Sequence, residues 1–166
     1  MTTPTELFLT DSREQFQKYK ELAEKAVAQV NDRQFFFTPG EESNSMALLM
    51  KHMAGNQLSR WTDFLTTDGE KPSRARDSEF VQEEKDSRQS ILKRWEAGWE
   101  CLFQALDGLK AEDLTKTVNI RQKPFSVIKA INTALAHYAL HIGQILFLAK
   151  HQSGANWKSL SIPKKK

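Results

Sequence analysis

Residues 126–150 read SVIKAINTALAHYALHIGQILFLAK. Its apolar side chains recur at three- and four-residue steps from Ile128 to Ile145, which is the period of one buried helix face. The segment is therefore predicted to form a long helix from Ser126 to about Lys150.

Three earlier segments carry the same helical period. Their predicted bounds are about Thr10 to Val30, from Ser43 or Asn44 to near Thr67–Gly69, and from a cap at Asp86 to Asp107–Gly108. Trp61, Trp95 and Trp99 fall at helical spacing on these segments, which is typical of core side chains. Four helices of about 20 residues predict an all-α protein and favour a four-helix bundle.

The connections between the helices are polar. The Pro-Gly pair at 39–40 breaks the chain after the first helix. Residues 68–79, DGEKPSRARDSE, are predicted to form a solvated loop, although Arg74 and Arg76 within it could attract an anionic group. Residues 115–120 alternate β-forming and polar side chains, which indicates a short extended segment or hairpin before the last helix.

Length and composition limit the class of protein. A chain of 166 residues predicts one domain over 1–166, with a C-terminal tail from about residue 151. The net charge of +3 comes partly from the lysines at 164–166, and the other charges are mixed in sign, so nucleic acid is not an expected partner. No apolar run approaches the roughly 20 residues that cross a bilayer, and no secretory signal is visible. The single cysteine, Cys101, favours a cytoplasmic location.

Three histidines form the candidate site. His137 and His141 are four residues apart on one face of the last helix, and His52 lies in an earlier helix of the same kind. Three imidazoles with one open coordination position are typical of a catalytic rather than a structural zinc-type site. The pair HYALH contains no glutamate, so it lacks the general base of the HExxH pattern. His151 is predicted to lie at the surface of the helix end.

Each histidine segment continues as a polar row on an otherwise apolar helix. Asn56 and Arg60 follow His52 at four-residue steps, and Gln144 follows His141 by three. Buried polar rows need partners, and a metal with bound water would supply them. Asn56 and Gln144 are therefore predicted to orient the ligands or a bound substrate, and Arg60 to hold a carboxylate of a thiol co-substrate.

Longer stretches of this chain resemble a known group. The sequence NSMALLMKHMAGNQLSRWTDFLTTDGEKPSRARDSEF at 44–80 is the most specific of them, and HYALHIGQI at 137–145 and WKSLSIPK at 157–164 accompany it. Together they resemble the DinB/YfiT-like superfamily of metal-dependent bacterial proteins, and in particular a subfamily of unassigned function. The similarity extends from Phe16 to about Lys164.

The resemblance implies both a fold and a site. It implies an antiparallel four-helix bundle with an unusual connection order, and homodimers are common in the superfamily. It also implies a divalent metal, usually zinc or nickel, held near one end of the bundle by His52, His137 and His141. Its characterised members include transferases of low-molecular-weight thiols such as bacillithiol, and thiol-dependent isomerases.

These observations lead to one preferred function and two alternatives. The preferred function is a metal-dependent thiol transferase that acts on a small molecule, because a metal that activates a thiol needs no separate base. A metal-dependent hydrolase is the alternative among enzymes. A non-catalytic metal-binding or stress-response protein is the alternative outside them.

Overall fold

The computed structural model describes residues 2–162 and is mostly helical, with one small two-stranded sheet. The elements are α1 (Pro4–Val27), α2 (Asp32–Phe35), α3 (Met46–Trp61), α4 (Arg88–Asp107), β1 (Thr117–Ile120), β2 (Lys123–Ser126) and α5 (Val127–Ser153). One-turn 3-10 helices occur at Arg76–Phe80, Ala111–Thr115 and Gly154–Asn156. The four predicted helices are present as α1, α3, α4 and α5. No helix in this described part is long and apolar enough to cross a membrane.

Helix α1 begins at Pro4, well before the predicted Thr10. The reason is a capping box: Thr3 Oγ1 accepts from the backbone N–H of Glu6, and the Glu6 carboxylate accepts from the backbone N–H of Thr3. After α1, the single turn of α2 precedes the predicted break at 39–40 and was not predicted.

Helix α3 ends at Trp61, short of the predicted end near Thr67. Thr62 is already extended, and Asp63 takes a left-handed φ of 49°, so the chain turns away from the helix axis. Lys71 Nζ donates to the carbonyl oxygen of Thr62 at 2.9 Å, where the helix leaves carbonyl groups without partners. The lysine therefore takes part in ending the helix.

Helix α4 is capped one residue later than predicted. Ser87 and Ser90 form the capping box, rather than Asp86 with a following glutamine. The Asp86 carboxylate instead accepts from Lys51 Nζ at 2.6 Å, and both side chains are almost fully buried. A buried ammonium group needs an anionic partner more than an exposed helix end needs a cap, which explains the shift.

Helix α5 begins where predicted. Ser126 Oγ accepts from the backbone N–H of Lys129, and the helix continues to Ser153, slightly beyond the predicted Lys150. Gly154 ends it with a left-handed φ of 53°.

The long helices pack on one another in pairs. Helix α3 lies along α4, and α1 lies along α5; α3 also contacts α5, and α1 contacts α4. Helices α3 and α4 approach closely at Gly98, where a Cβ atom would lie 3.0 Å from the Cα of Ala54. The absent side chain at Gly98 lets the two backbones meet.

Aromatic side chains fill the space between the helices. Phe16, Trp61, Trp99 and Tyr138 are all at least 98% buried. The Phe16 ring lies 5.7 Å from the Tyr138 ring and 6.3 Å from the Trp61 ring, in tilted and edge-to-face arrangements that aromatic pairs prefer. The prediction that these tryptophans belong to the core is confirmed.

The predicted hairpin before the last helix is present. Strands β1 and β2 pair antiparallel, with Ile120 opposite Lys123 around a two-residue turn. The turn residues Arg121 and Gln122 both have left-handed φ values, 54° and 61°. The Asp68 carboxylate accepts from both of their backbone N–H groups, at 2.9 and 2.7 Å. One side chain thus attaches the hairpin to the segment that follows α3.

The C-terminal tail lies against the end of α1. Trp157 and Leu160 are partly buried on the core, and Lys158 exchanges hydrogen bonds with the side chain of Gln29. The lysines at 164–166, predicted to be a solvated end, lie outside the described residues.

Candidate metal centre

Three histidines from two helices converge at one point. His52 lies on α3, and His137 and His141 lie one turn apart on α5. The Nε2 atom of His137 is 3.0 Å from Nε2 of His141 and 3.4 Å from Nε2 of His52. One nitrogen from each ring lies within 4.8 Å of the others, so the three side chains could hold a metal ion.

Hydrogen bonds at the outer nitrogens set the tautomers of two of these rings. Nδ1 of His52 donates to Glu79 Oε2 at 2.9 Å, and Nδ1 of His141 donates to Gln144 Oε1 at 2.8 Å. A neutral imidazole carries one N–H, so Nε2 of each ring presents a lone pair. Both lone pairs face Nε2 of His137, which can donate to only one of them. A divalent cation accepts lone pairs from all three, so this donor set suits it.

The protonation state of the rings also suits a metal. Burial, followed by the neighbouring histidines, lowers the pKa of His137 from 6.5 to about 3. Burial likewise lowers the pKa of His141, although its hydrogen bond to Gln144 opposes the effect. Both rings are therefore neutral near pH 7, which is the form that ligates metals.

A buried carboxylate and guanidinium stand behind His52. Glu79 is 6% exposed, and Arg74 donates to both of its oxygens, from Nε at 2.8 Å and from a terminal nitrogen at 2.7 Å. Burial alone would raise the pKa of Glu79, but the hydrogen bonds from His52 and Arg74 outweigh it and lower the pKa. The carboxylate is therefore ionised, and its charge makes the His52 ring a stronger electron donor.

This pair corrects part of the prediction of a solvated loop at 68–79: residues 72–73 and 75–78 are exposed, but the side chains of Arg74 and Glu79 are buried. The latter part of the loop folds against α3, ending in the 3-10 helix Arg76–Phe80, and only 4% of the Arg74 side chain is exposed. Gly55 makes the contact with α3 feasible, because a Cβ atom there would lie 2.1 Å from Glu79 Oε1. This part of the loop folds on the helix because Arg74 and Glu79 neutralise each other's buried charges, and Glu79 also accepts a hydrogen bond from His52 on α3.

Asn56 is held by the core rather than by a histidine. Trp61 Nε1, which can only donate, donates to the Tyr138 hydroxyl at 3.2 Å, and that hydroxyl donates to Asn56 Oδ1 at 3.0 Å. The chain of donors fixes the orientation of the amide. The Nδ2 group of Asn56 is left to donate elsewhere.

A cleft opens beside the histidines. It has a volume of about 450 Å³, and His52, Asn56, Arg60 and His137 line it together with residues of the β hairpin. His141 and its partner Gln144 are outside this lining, and Gln144 borders a separate groove. Of the predicted site residues, Asn56 and Arg60 therefore line this cleft together with His52 and His137, whereas Gln144 reaches the cluster only through His141.

Comparison with known proteins places the chain in a family. A family described as "Protein of unknown function (DUF1572)" matches residues 4–166. The chain belongs to this family. No curated protein matches the chain. Membership assigns no activity, so the function has to be argued from the site.

In this DUF1572 protein, sequence reasoning missed Glu79 and underestimated Arg74. One signal could have found them: Gly55 interrupts the predicted helix three residues after His52, and a glycine inside a helix often marks a close approach of another group. His151, in contrast, is exposed in the last turn of α5 and stacks on Phe147. It is separate from the three grouped histidines.

Proposed function

We propose that this protein is a metal-dependent enzyme in which His52, His137 and His141 hold one divalent cation, zinc or nickel. The observation that carries the proposal is the convergence of three imidazole nitrogens beside a cleft, with Glu79 and Gln144 fixing two of the rings from outside. Three protein ligands leave coordination positions for a substrate, as catalytic sites require.

We favour transfer of a low-molecular-weight thiol as the reaction. When bound, the cation lowers the pKa of a thiol that it coordinates. Glu79 is the carboxylate that contacts the histidines, and it is already engaged by His52 and Arg74, so it is a poor general base. A thiol that loses its proton to solvent needs no such base. Its sulfur then forms a bond to an electrophilic carbon while the leaving group departs with the bonding electrons.

The residues around the centre have supporting roles in this proposal. Glu79 and Gln144 orient His52 and His141, and Asn56 offers its Nδ2 group to a substrate in the cleft. His137 has no outer partner of this kind among the hydrogen bonds of the described residues, and it lies between the other two rings. It is the ligand that depends most on the metal for its position.

The helix contacts support the bundle that the DinB/YfiT-like resemblance implies. Each of the four long helices contacts two others, in the cyclic order α1, α5, α3 and α4. We propose that they form an antiparallel four-helix bundle and that the histidine cluster borders its core.

We further propose a homodimer that forms through α5. Leu140 and Phe147 are seven residues apart on one helix face, and each is 70% exposed. A second copy of the chain would cover this face. Analytical ultracentrifugation at micromolar concentration tests it: a dimer that Leu140→Glu converts to a monomer supports the proposal, and a wild-type monomer removes it.

Metal content tests the centre directly. Purified, untagged wild type, His52→Ala, His137→Ala and His151→Ala are analysed by inductively coupled plasma mass spectrometry. His151→Ala is the matched control, because it removes an exposed histidine from the same helix. We expect about one equivalent of divalent metal in the wild type and the control, and its loss in the other two. A wild type without metal after incubation with zinc and with nickel would overturn the proposal.

Activity assays then decide between the reactions. Metal-loaded protein is incubated with an alkyl halide in the presence and absence of bacillithiol, and the loss of free thiol is followed. Turnover that needs both thiol and metal supports thiol transfer. Ester or amide cleavage without a thiol identifies a hydrolase, and metal binding without either reaction identifies a non-catalytic protein.

A further inference from the structure

The cleft beside the histidines is strongly basic. Five basic side chains line it, and no carboxylate does so among the residues that the structure describes. The five are Arg60, Arg74, Arg76, Arg121 and Lys123. The chain as a whole has a net charge of only +3, so this surface concentrates positive charge in one small volume.

Two of these charges are already neutralised. Arg74 pairs with Glu79 and with Glu70, and Arg121 pairs with Glu70 at 3.2 Å. Arg76 has a looser partner, since its nearest carboxylate, the fully exposed Asp77, is 3.6 Å away. The remaining two cations therefore dominate the charge of the cleft.

Arg60 is the more unusual of the two. It is 8% exposed, and its Nε atom is buried without a hydrogen-bond partner within residues 2–162. Burial lowers the pKa of this guanidinium, and the negative charge of Glu70 opposes the effect without reversing it. A buried cation that lacks a partner is costly, and an anionic ligand removes that cost. Lys123, at the start of β2, lines the same cleft and makes no ion pair in the described chain.

We propose that this cleft binds an oxyanion group, a carboxylate or a phosphate, of the small molecule that reacts at the histidine cluster. Arg60 contacts the anion from the buried side, Lys123 and Arg76 contact it from the hairpin side and the rim, and Asn56 adds a neutral donor. The anion is thereby anchored within the same cleft that His52 and His137 line. The inference rests on the proposed function for the reaction, but the anion site itself does not need the metal.

The size of the cleft limits the ligand. A volume of about 450 Å³ falls in the range of sites for small molecules. The charge arrangement fits one or two negative charges at one end of such a molecule. The substrate class is therefore a small organic acid or phosphate ester.

The test is direct binding of two probe anions, inorganic phosphate and succinate. Each is titrated into zinc-loaded and into chelator-treated full-length protein, and binding is followed by proton–nitrogen NMR of the backbone and of the arginine Nε–H groups. The variants are Arg60→Gln and Lys123→Gln. Arg33→Gln is the matched control, because it removes the same charge from an exposed site on α2. Circular dichroism and metal content are recorded for every sample.

We expect at least one probe to bind the wild type at millimolar concentration or below, with or without metal. Each cleft variant should weaken binding about tenfold, which corresponds to loss of one charge-assisted hydrogen bond, and Arg33→Gln should not. Tighter binding of phosphate assigns a phosphate ester, and tighter binding of succinate assigns a carboxylate. Because Lys123 is exposed, its variant remains informative if Arg60→Gln fails to fold.

Two results would overturn the inference. One is a fully metal-loaded wild type that binds neither probe, and the other is equal weakening in Arg33→Gln and in the cleft variants. Both leave the metal centre intact. Conversely, anion binding in a wild type that takes up no metal would refute the proposed function and retain the anion site.

Discussion

The substitution Glu79→Gln tests how strongly the outer carboxylate controls the histidine cluster. The isosteric amide keeps one oxygen but replaces the other with an NH₂ group. In the native site all three contacts to the carboxylate come from donors: His52 Nδ1 at 2.9 Å, and two Arg74 nitrogens at 2.8 and 2.7 Å. At least one donor must then face another donor, and the negative charge behind His52 is lost.

The expected magnitudes follow from these contacts. Removing the outer partner of a metal-bound histidine weakens metal affinity about 10- to 100-fold, or roughly 1.4–2.8 kcal/mol. The metal-free protein should also lose about 2–3 kcal/mol of unfolding free energy, because Arg74 is buried and loses its closest counter-charge. The loss stays below that of an unpaired buried charge, since Arg74 keeps Glu70 at 3.2 Å.

Zinc affinity is measured by competition with a fluorescent chelator, and stability by urea denaturation of chelator-treated protein. Glu83→Gln is the matched control. It removes a carboxylate that pairs with buried Lys51, which retains Asp86, and none of the hydrogen bonds of Glu83 among the described residues involves a histidine. Glu83→Gln should leave zinc affinity unchanged. Equal zinc affinities in wild type and Glu79→Gln would refute the reasoning, whatever the change in stability.

Three further predictions concern stability and the site. Gly55→Ala should weaken zinc affinity about tenfold by displacing Glu79, whereas Gly143→Ala, which has open space, should not; the same competition assay compares them. Gln122→Gly should raise the unfolding free energy in urea by up to about 1 kcal/mol, because φ there is 61°. The pKa of Asp86 is lowered overall. Burial alone would raise this pKa, but hydrogen bonds from a buried lysine and from a backbone N–H outweigh the effect of burial. The stabilisation by Asp86 is therefore present above pH ~4 and lost as pH falls through the lowered pKa, and Asp86→Asn should flatten the acid side of a pH–stability curve.

The features that the sequence predicted well are those with a local signal. The start of α5 follows from one serine and an uninterrupted apolar period, and the hairpin follows from alternation within 115–120. To predict that His52 lies close to His137 and His141, one further assumption was needed, namely that the apolar faces of the two helices pack together. Both kinds of reasoning use side chains whose neighbours are close in sequence or share a helix face.

The features that it missed depend on contacts between distant segments. Residues 68–79 have the composition of an exposed loop, and the pairing of Arg74 with Glu79 next to His52 is what makes burial of these two side chains favourable. The same applies to Asp86, whose local context favours a helix cap but whose partner is Lys51 on another helix. A charged residue gives no local indication of which opposite charge it will meet.

The contact between Gly55 and Glu79 couples the substitutions that these two distant positions can accept. A side chain at 55 can be accepted only if the group at 79 becomes shorter, and a shorter group no longer reaches both His52 and Arg74. A substitution at either position alone is therefore expected to disturb the hydrogen bonds that orient His52. Among related chains, we expect substitutions at 55 to occur together with changes at 79, and sequences that keep the glycine to keep the glutamate.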